Sequence, residues 1–263
     1  MLYTAVILYA WGSKGHTAIG DLTMSFLSEE MQVKVQDLLS HDDKKYSLGE
    51  ASVWADTVKR TKEFSWTSTL HYMDVADSPP TACALFSIPA GPNVVNAAVD
   101  FYEHLESPTN VTAVQGLKFF IHLFQDLHQP LHVEGKAKGG NGIKVSFNKR
   151  QTNLHSVWDS DMINKRIKDN FNNEYPAWLA SLKSKSVKQL CFNTCQAISC
   201  DANVSSCLAS WAQYVNKLNC DTVWGFQGNE LTEAYYQKNI VLIEDLLVVA
   251  AMRSAQLLTL KLR

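Results

Sequence analysis

The sequence has almost no net charge: 24 lysines and arginines stand against 26 aspartates and glutamates. That balance excludes holding a polyanion through a basic surface alone, so any chemistry on nucleic acid has to come from a local site. Long uncharged apolar runs are missing too. The stretch from Ile240 to Ala251 is broken by Glu244 and Asp245, which argues against a membrane-spanning helix. There is no internal repeat, low-complexity tract or linker, and 263 residues suit one hydrophobic core. The six cysteines lack zinc-ribbon spacing: Cys191, Cys195, Cys200 and Cys207 follow one another at steps of four, five and seven. They read instead as a disulfide framework formed in an oxidising compartment, with free buried thiols as the alternative.

What is present begins with MLYTAVILYA, which reads as the back half of a secretory signal peptide cut after Ala10, although it has no charged start. The expected mature domain is 11–263. Two glycosylation sequons, at Asn110 and Asn203, agree with a secreted protein. Helical periodicity runs through Ala18 to Leu39, Ser52 to Thr61, Val94 to Leu105, Thr112 to Asp126, Leu154 to Lys165, Pro176 to Lys183 and Leu231 to Leu262. The fold class is therefore all-α, with one small hairpin where Lys138-Gly139-Gly140-Asn141 leads into the alternating Ile143, Val145 and Phe147. Ser78-Pro79-Pro80 and the cysteine-rich segment are surface loop candidates.

The densest signal is His122-x3-Asp126-x-His128-Gln129-Pro130-Leu131-His132. Positions i and i+4 share a helix face, so His122 and Asp126 are placed to grip an ion together. His155 and Asp159 repeat the spacing. One such pair alone is an ordinary ion pair; two pairs plus His132, among aromatic residues, point to metal. Upstream, Asp56 and His71 sit in apolar surroundings, where a buried charge needs a partner or a metal. Singly, Asp56 pairs as well with Lys59 or Arg60, and His71 reads as a core histidine. Together they complete a set of oxygen and nitrogen donors suited to zinc without cysteine. His128 is a core or supporting residue, and His41 and His104 belong on the surface.

In order, Trp11-Gly12-x3-His16, Trp54-Ala55-Asp56, His71-Tyr72-Met73-Asp74, the His122 to His132 motif, Gly139-Gly140-Asn141 and Leu154-His155-x3-Asp159 resemble the zinc-dependent class I nucleases. That family comprises single-strand-specific nucleases of fungi and plants and trypanosomatid 3'-nucleotidase/nucleases. The resemblance covers the chain from Trp11 to near its end and implies the zinc phospholipase C/nuclease type of helical fold. It implies three Zn2+ per chain: one on Asp56, His71, His122 and Asp126; one on the main chain of Trp11, His16 and Asp126; one on His132, His155 and Asp159. It further implies hydroxide attack between paired metals, cleavage of the P–O3' bond in single-stranded DNA, RNA and 3'-mononucleotides, and 5'-phosphate products from a secreted, monomeric enzyme.

Asp56, Lys59 and Asp126 take catalytic places by the same resemblance, with Lys59 steadying the transition state, although a solvated lysine is an equal reading. Lys59, Tyr72, Asp74, Lys138 and Asn141 fall on the substrate side, where a ring stacks on the base and a carboxylate reads its edge. Cys83 is implied to pair with Cys220; the other four cysteines pair in any of three ways. Bacterial zinc phospholipase C is a related alternative, but it carries glutamate after its last histidine and a wider first tryptophan–histidine spacing. An inactive zinc-binding relative is the other alternative, and no ligand is missing here.

Overall fold

The computed structural model describes residues 11–83, 87–105, 110–185, 199–200 and 203–263. The leader, Cys191 and Cys195 lie outside these residues. In chain order the helices are α1 (Ser13–Phe26), α2 (Glu29–Ser40), α3 (Leu48–Ala51), α4 (Trp54–Val58), α5 (Val94–Glu103), α6 (Ala113–Asp126), α7 (Leu154–Ser156), α8 (Met162–Phe171), α9 (Tyr175–Lys183), α10 (Val204–Leu218) and α11 (Glu233–Lys261). Short 3-10 turns cover Ser65–His71 and Pro130–Val133, and a π turn at Val157–Asp161 joins α7 to α8.

Where one helix is predicted from Ala18 to Leu39, two form. Ser28 is extended, and its hydroxyl accepts from Met31 N, so it starts a new helix. Glu29 and Glu30 then sit at the positive end of α2, which favours the break. The helix predicted from Ser52 to Thr61 shortens to α4, with α3 formed just before it, and α10 appears where the sequence showed only a cysteine-rich loop. A disulfide joins Cys200 to Cys207 and another joins Cys83 to Cys220. Asn110 and Asn203 are exposed.

The hairpin pairs β1 (Lys144–Phe147) with β2 (Arg150–Asn153), Val145 facing Thr152. Asn148 and Lys149 turn the chain with φ of 49° and 63°, as a two-residue hairpin requires. A third strand, β3 (Glu230–Leu231), runs parallel to β1 and was not foreseen, because two residues carry no readable period.

Helix α6 is the centre of the molecule. Thr112 and Gln115 form a capping box at its start, a feature that stabilises a helix by about 1 kcal/mol. Phe119, Phe120, Phe124 and every other residue from Gly116 to Asp126 are buried. α5 packs along it, while α11 lies against α1 and α6. α11 is apolar nearly all round and runs through the interior, where its Glu244 meets Arg166 and Trp178 Nε1. No helix among the described residues is long and apolar enough to cross a membrane.

Candidate metal centre

The C-terminal end of α6 carries His122 and Asp126 into a place where α1, α4, both 3-10 turns and α7 converge. α1 supplies His16, α4 supplies Asp56, and the turns supply His71 and His132. His155 comes from α7 and Asp159 from the π turn behind it. These eight side chains, predicted from positions spread over 144 residues, all lie at or below 7% exposure. They form three groups suited to an ion, the first two sharing His122: His16, Asp56 and His122; His71, His122 and Asp126; His132, His155 and Asp159.

The inner group has the dimensions of a coordination shell. His71 Nδ1 lies 3.6 Å from Asp56 Oδ1 and 3.0 Å from Asp126 Oδ2. His122 Nε2 lies 3.0 Å from His71 Nδ1, 3.5 Å from Asp56 Oδ1 and 3.2 Å from Asp126 Oδ2. Four donors around one zinc at bonds of about 2.1 Å stand about 3.4 Å apart, so these separations fit a tetrahedral site. The other oxygen of Asp126, Oδ1, faces His16 Nε2 at 3.2 Å. Thus one carboxylate addresses two sites, an oxygen to each. In the third group His155 Nε2 is 3.1 Å from Asp159 Oδ2, and His132 Nε2 is 3.9 Å from Asp159 Oδ1.

Four histidines are aimed by bonds to their other nitrogen. Nδ1 of His122 donates to Ser52 O at 2.6 Å, that of His132 to His71 O at 2.7 Å, and that of His155 to Gly139 O at 2.6 Å. His16 Nδ1 donates to Gln125 Oε1 at 2.6 Å. Each bond fixes the tautomer that leaves Nε2 as a lone-pair donor. His16 Nε2, His132 Nε2, Asp126 Oδ1 and Asp56 Oδ2 are buried with no hydrogen-bond partner. An unsatisfied buried polar atom costs about 1–3 kcal/mol, so four in one place call for a ligand of positive charge. With nitrogen and carboxylate donors and no cysteine, the set fits zinc.

The electrostatics point the same way. Burial opposes charge on His122, yet Asp126 and Asp56 together raise its pKa to about 10. Despite their own burial, both carboxylates are held well below the ordinary carboxylate range by His122. Burial lowers His71 to about 4 and His132 below its usual value, whereas Asp159 outweighs burial and raises His155. The centre is a sealed negative field that attracts cations.

Around this floor stand the residues assigned to substrate. Lys59, one turn after Asp56, places its ammonium directly on Asp56 Oδ1. The segment from Tyr72 to Ala76 leaves the 3-10 turn in an extended conformation and alternates, so that Met73 and Val75 are buried while Tyr72 and Asp74 point out. Met73 N donates to His132 O at 2.7 Å, which fastens that segment to the third group. Partial burial raises the Asp74 carboxyl above its ordinary value. Lys138 and Asn141 occupy the turn that positions His155. Ala137, Lys138, Gly139 and Gly140 all have positive φ, and a Cβ on Gly139 would stand 2.3 Å from Leu131 O. Asn141 donates to Lys138 O and leaves its buried Oδ1 unpartnered. No hydrogen bond or ion pair joins Tyr72 or Asp74 to Lys138 or Asn141 among the described residues. Trp11 is fully buried beneath the centre, its indole donating to Gln125 O at 3.0 Å, while Gly12 N donates to Asp159 O at 2.7 Å.

Sequence reasoning missed the residues that hold the candidate ligands. Gln129 donates to Asp159 Oδ1 at 2.6 Å, and Gln125 and Ser52 brace His16 and His122. The available signal was a glutamine in an otherwise apolar helix stretch, Leu123-Phe124-Gln125. His128 belongs to the core: its Nδ1 donates to Phe124 O and its Nε2 accepts from Arg253, with burial and Arg253 lowering its pKa to about 3. His41 and His104 are exposed.

A family model described as S1/P1 Nuclease matches residues 11–263. Nuclease S1 of Aspergillus oryzae is 30% identical, the alignment covering 98% of this chain and 94% of that protein. Nuclease P1 of Penicillium citrinum is 30% identical over 89% and 91%, and Endonuclease 3 of Arabidopsis thaliana 28% identical over 93% and 86%. With a match that spans all the candidate ligands, the chain belongs to the S1/P1 nuclease family.

Proposed function

We propose that this nuclease is a secreted, single-domain, monomeric enzyme of residues 11–263 that cleaves the P–O3' bond of single-stranded DNA and RNA and of 3'-mononucleotides. The observation that carries the reading is the pair of sites sharing Asp126, with a third group beside them. Zinc ions held there would supply Lewis acidity toward phosphate oxygens and would lower the pKa of a water for attack on phosphorus. The first site takes Asp56, His71, His122 and Asp126; the second His16, Asp126 and the main chain of Trp11; the third His132, His155 and Asp159. A cut before Trp11 frees its α-amino group to serve as a donor.

The chain's own residues then do the positioning. Lys59 stands at the edge of the first site, where an ammonium offsets charge developing on the phosphoryl oxygens. Tyr72, 42% exposed, offers a ring for a base, and Asp74, two residues on along the same outward side, offers an acceptor for its polar edge. Lys138 and Asn141, on the turn whose Gly139 carbonyl holds His155, offer polar groups next to the third site. A base stacked on Tyr72 while its phosphate reaches a buried centre has to leave a duplex, so paired strands are poor substrates.

The test is product analysis with single-stranded DNA, with and without a zinc chelator. Chelator-sensitive release of 5'-mononucleotides is the expected result. Products ending in 3'-phosphate, or equal rates on blunt duplex, overturn the reading. Retaining one extra residue before Trp11 is expected to lower zinc content; full zinc and full activity in that form refute the N-terminal ligand. Hydrolysis of phosphatidylcholine in place of DNA would move the assignment to phospholipase C.

A further inference from the structure

Gln125 is fully buried at the end of α6, and all its polar groups are used. Its Oε1 accepts from His16 Nδ1 at 2.6 Å, its Nε2 donates to Ser52 Oγ at 2.9 Å, and its carbonyl accepts from the Trp11 indole at 3.0 Å. Ser52 in turn donates its one hydroxyl proton to Leu48 O at 2.8 Å. This last bond sets the direction of the whole chain. With its proton spent on a helix carbonyl, Ser52 Oγ can only accept, so the amide nitrogen of Gln125 faces it. The amide oxygen therefore faces His16, whose Nδ1 must carry the proton. His16 Nε2 is left deprotonated, 3.2 Å from Asp126 Oδ1, and neither atom has a hydrogen-bond partner.

We propose that Gln125 is a positioning residue for the second ion site, with a hydrogen-bond relay from Leu48 O through Ser52 and Gln125 fixing His16 as an Nε2 donor. The inference rests on the reading of His16 as a ligand and adds what selects its tautomer. It also ties Trp11 and His16 to one residue, since the side chain of Gln125 holds the imidazole and its main chain holds the indole. The His16 and His122 rings stack with centroids 4.0 Å apart, but His122 keeps its own bond to Ser52 O, so the loss of the Gln125 bond falls on His16.

The experiment is a zinc titration of the metal-stripped protein in chelator-buffered solutions. Gln125→Met keeps length and volume but removes both side-chain bonds. One of three ions is expected to weaken about 10–100-fold, the scale of losing an orienting partner, while two bind as in the wild type. Ser52→Ala, which frees the amide to rotate, is expected to weaken the same ion by less. In the wild-type zinc protein, 15N imidazole spectra are expected to show His16 protonated at Nδ1. Unchanged binding of all three ions by folded Gln125→Met overturns the proposal, and so does a wild-type spectrum with His16 protonated at Nε2. His16→Ala separates the two levels. If it keeps three ions at wild-type affinity, the ligand reading itself fails; if it loses one and Gln125→Met does not, only the positioning role fails.

Discussion

The floor of the centre and its rim are built by opposite rules. On the floor, His16, His122, His132 and His155 are each held through Nδ1 by a carbonyl or amide oxygen, and the carboxylates beside them are sealed from water. On the rim, Tyr72 and Asp74 stand exposed on an extended segment, without side-chain bonds to other described residues that fix them. The contrast teaches where precision is needed. Ligand geometry has to be correct before substrate arrives, whereas a surface that accepts many bases needs a stacking platform more than a fixed mould.

Removing metal should break the comparison most completely. Exhaustive chelation is expected to abolish hydrolysis and to lower the thermal midpoint by roughly 10 °C or more, because Asp56, Asp126 and Asp159 lose their counter-charge in a buried site. Calorimetry with and without zinc reads this; an unchanged midpoint means that the floor does not depend on ions. Next in size, Asp126→Asn removes the carboxylate shared by two sites and should cut kcat/KM by about 10³-fold or more, with fewer ions bound per chain. Wild-type zinc content in that variant would contradict the shared role.

Gly139→Ala sharpens the comparison, since the residue belongs to the rim by position and to the floor by function. Its φ of 57° and the 2.3 Å approach of an added Cβ to Leu131 O should destabilise the fold by about 1–3 kcal/mol. The same change moves the carbonyl that aims His155, so urea unfolding and zinc affinity are both expected to suffer. The smallest effect is expected from the true rim. Tyr72→Ala should raise KM about 10-fold, from the loss of one stacking contact, and leave zinc content and the thermal midpoint as they were. A drop in zinc content with Tyr72→Ala would erase the distinction between rim and floor.

Much of this was legible before any coordinates. The spacing of His122 with Asp126 and of His155 with Asp159 announces a shared face because helix geometry is local. Residue type and apolar surroundings single out His132, Asp56 and His71, the resemblance adds His16, and all of them meet there. The break at Ser28 was misread because apolar periodicity on both sides of a cap looks continuous. Helix α10 is hidden because the cysteine-rich stretch that runs into it, ending at Cys207, suggests a loop, although Asn203 caps it as a helix start.

The sequence by itself determined which donors exist, that they are nitrogen and oxygen rather than sulfur, and that they come in helical pairs. These are properties of residue type and short spacing. Only the tertiary structure decided which nitrogen of each histidine faces inward, how the two oxygens of Asp126 are divided, and that Gln125 and Gln129 brace the ligands. Those choices depend on hydrogen bonds to partners 16 to 109 residues away in the chain, a separation at which local pattern carries no information and only packing brings the groups together.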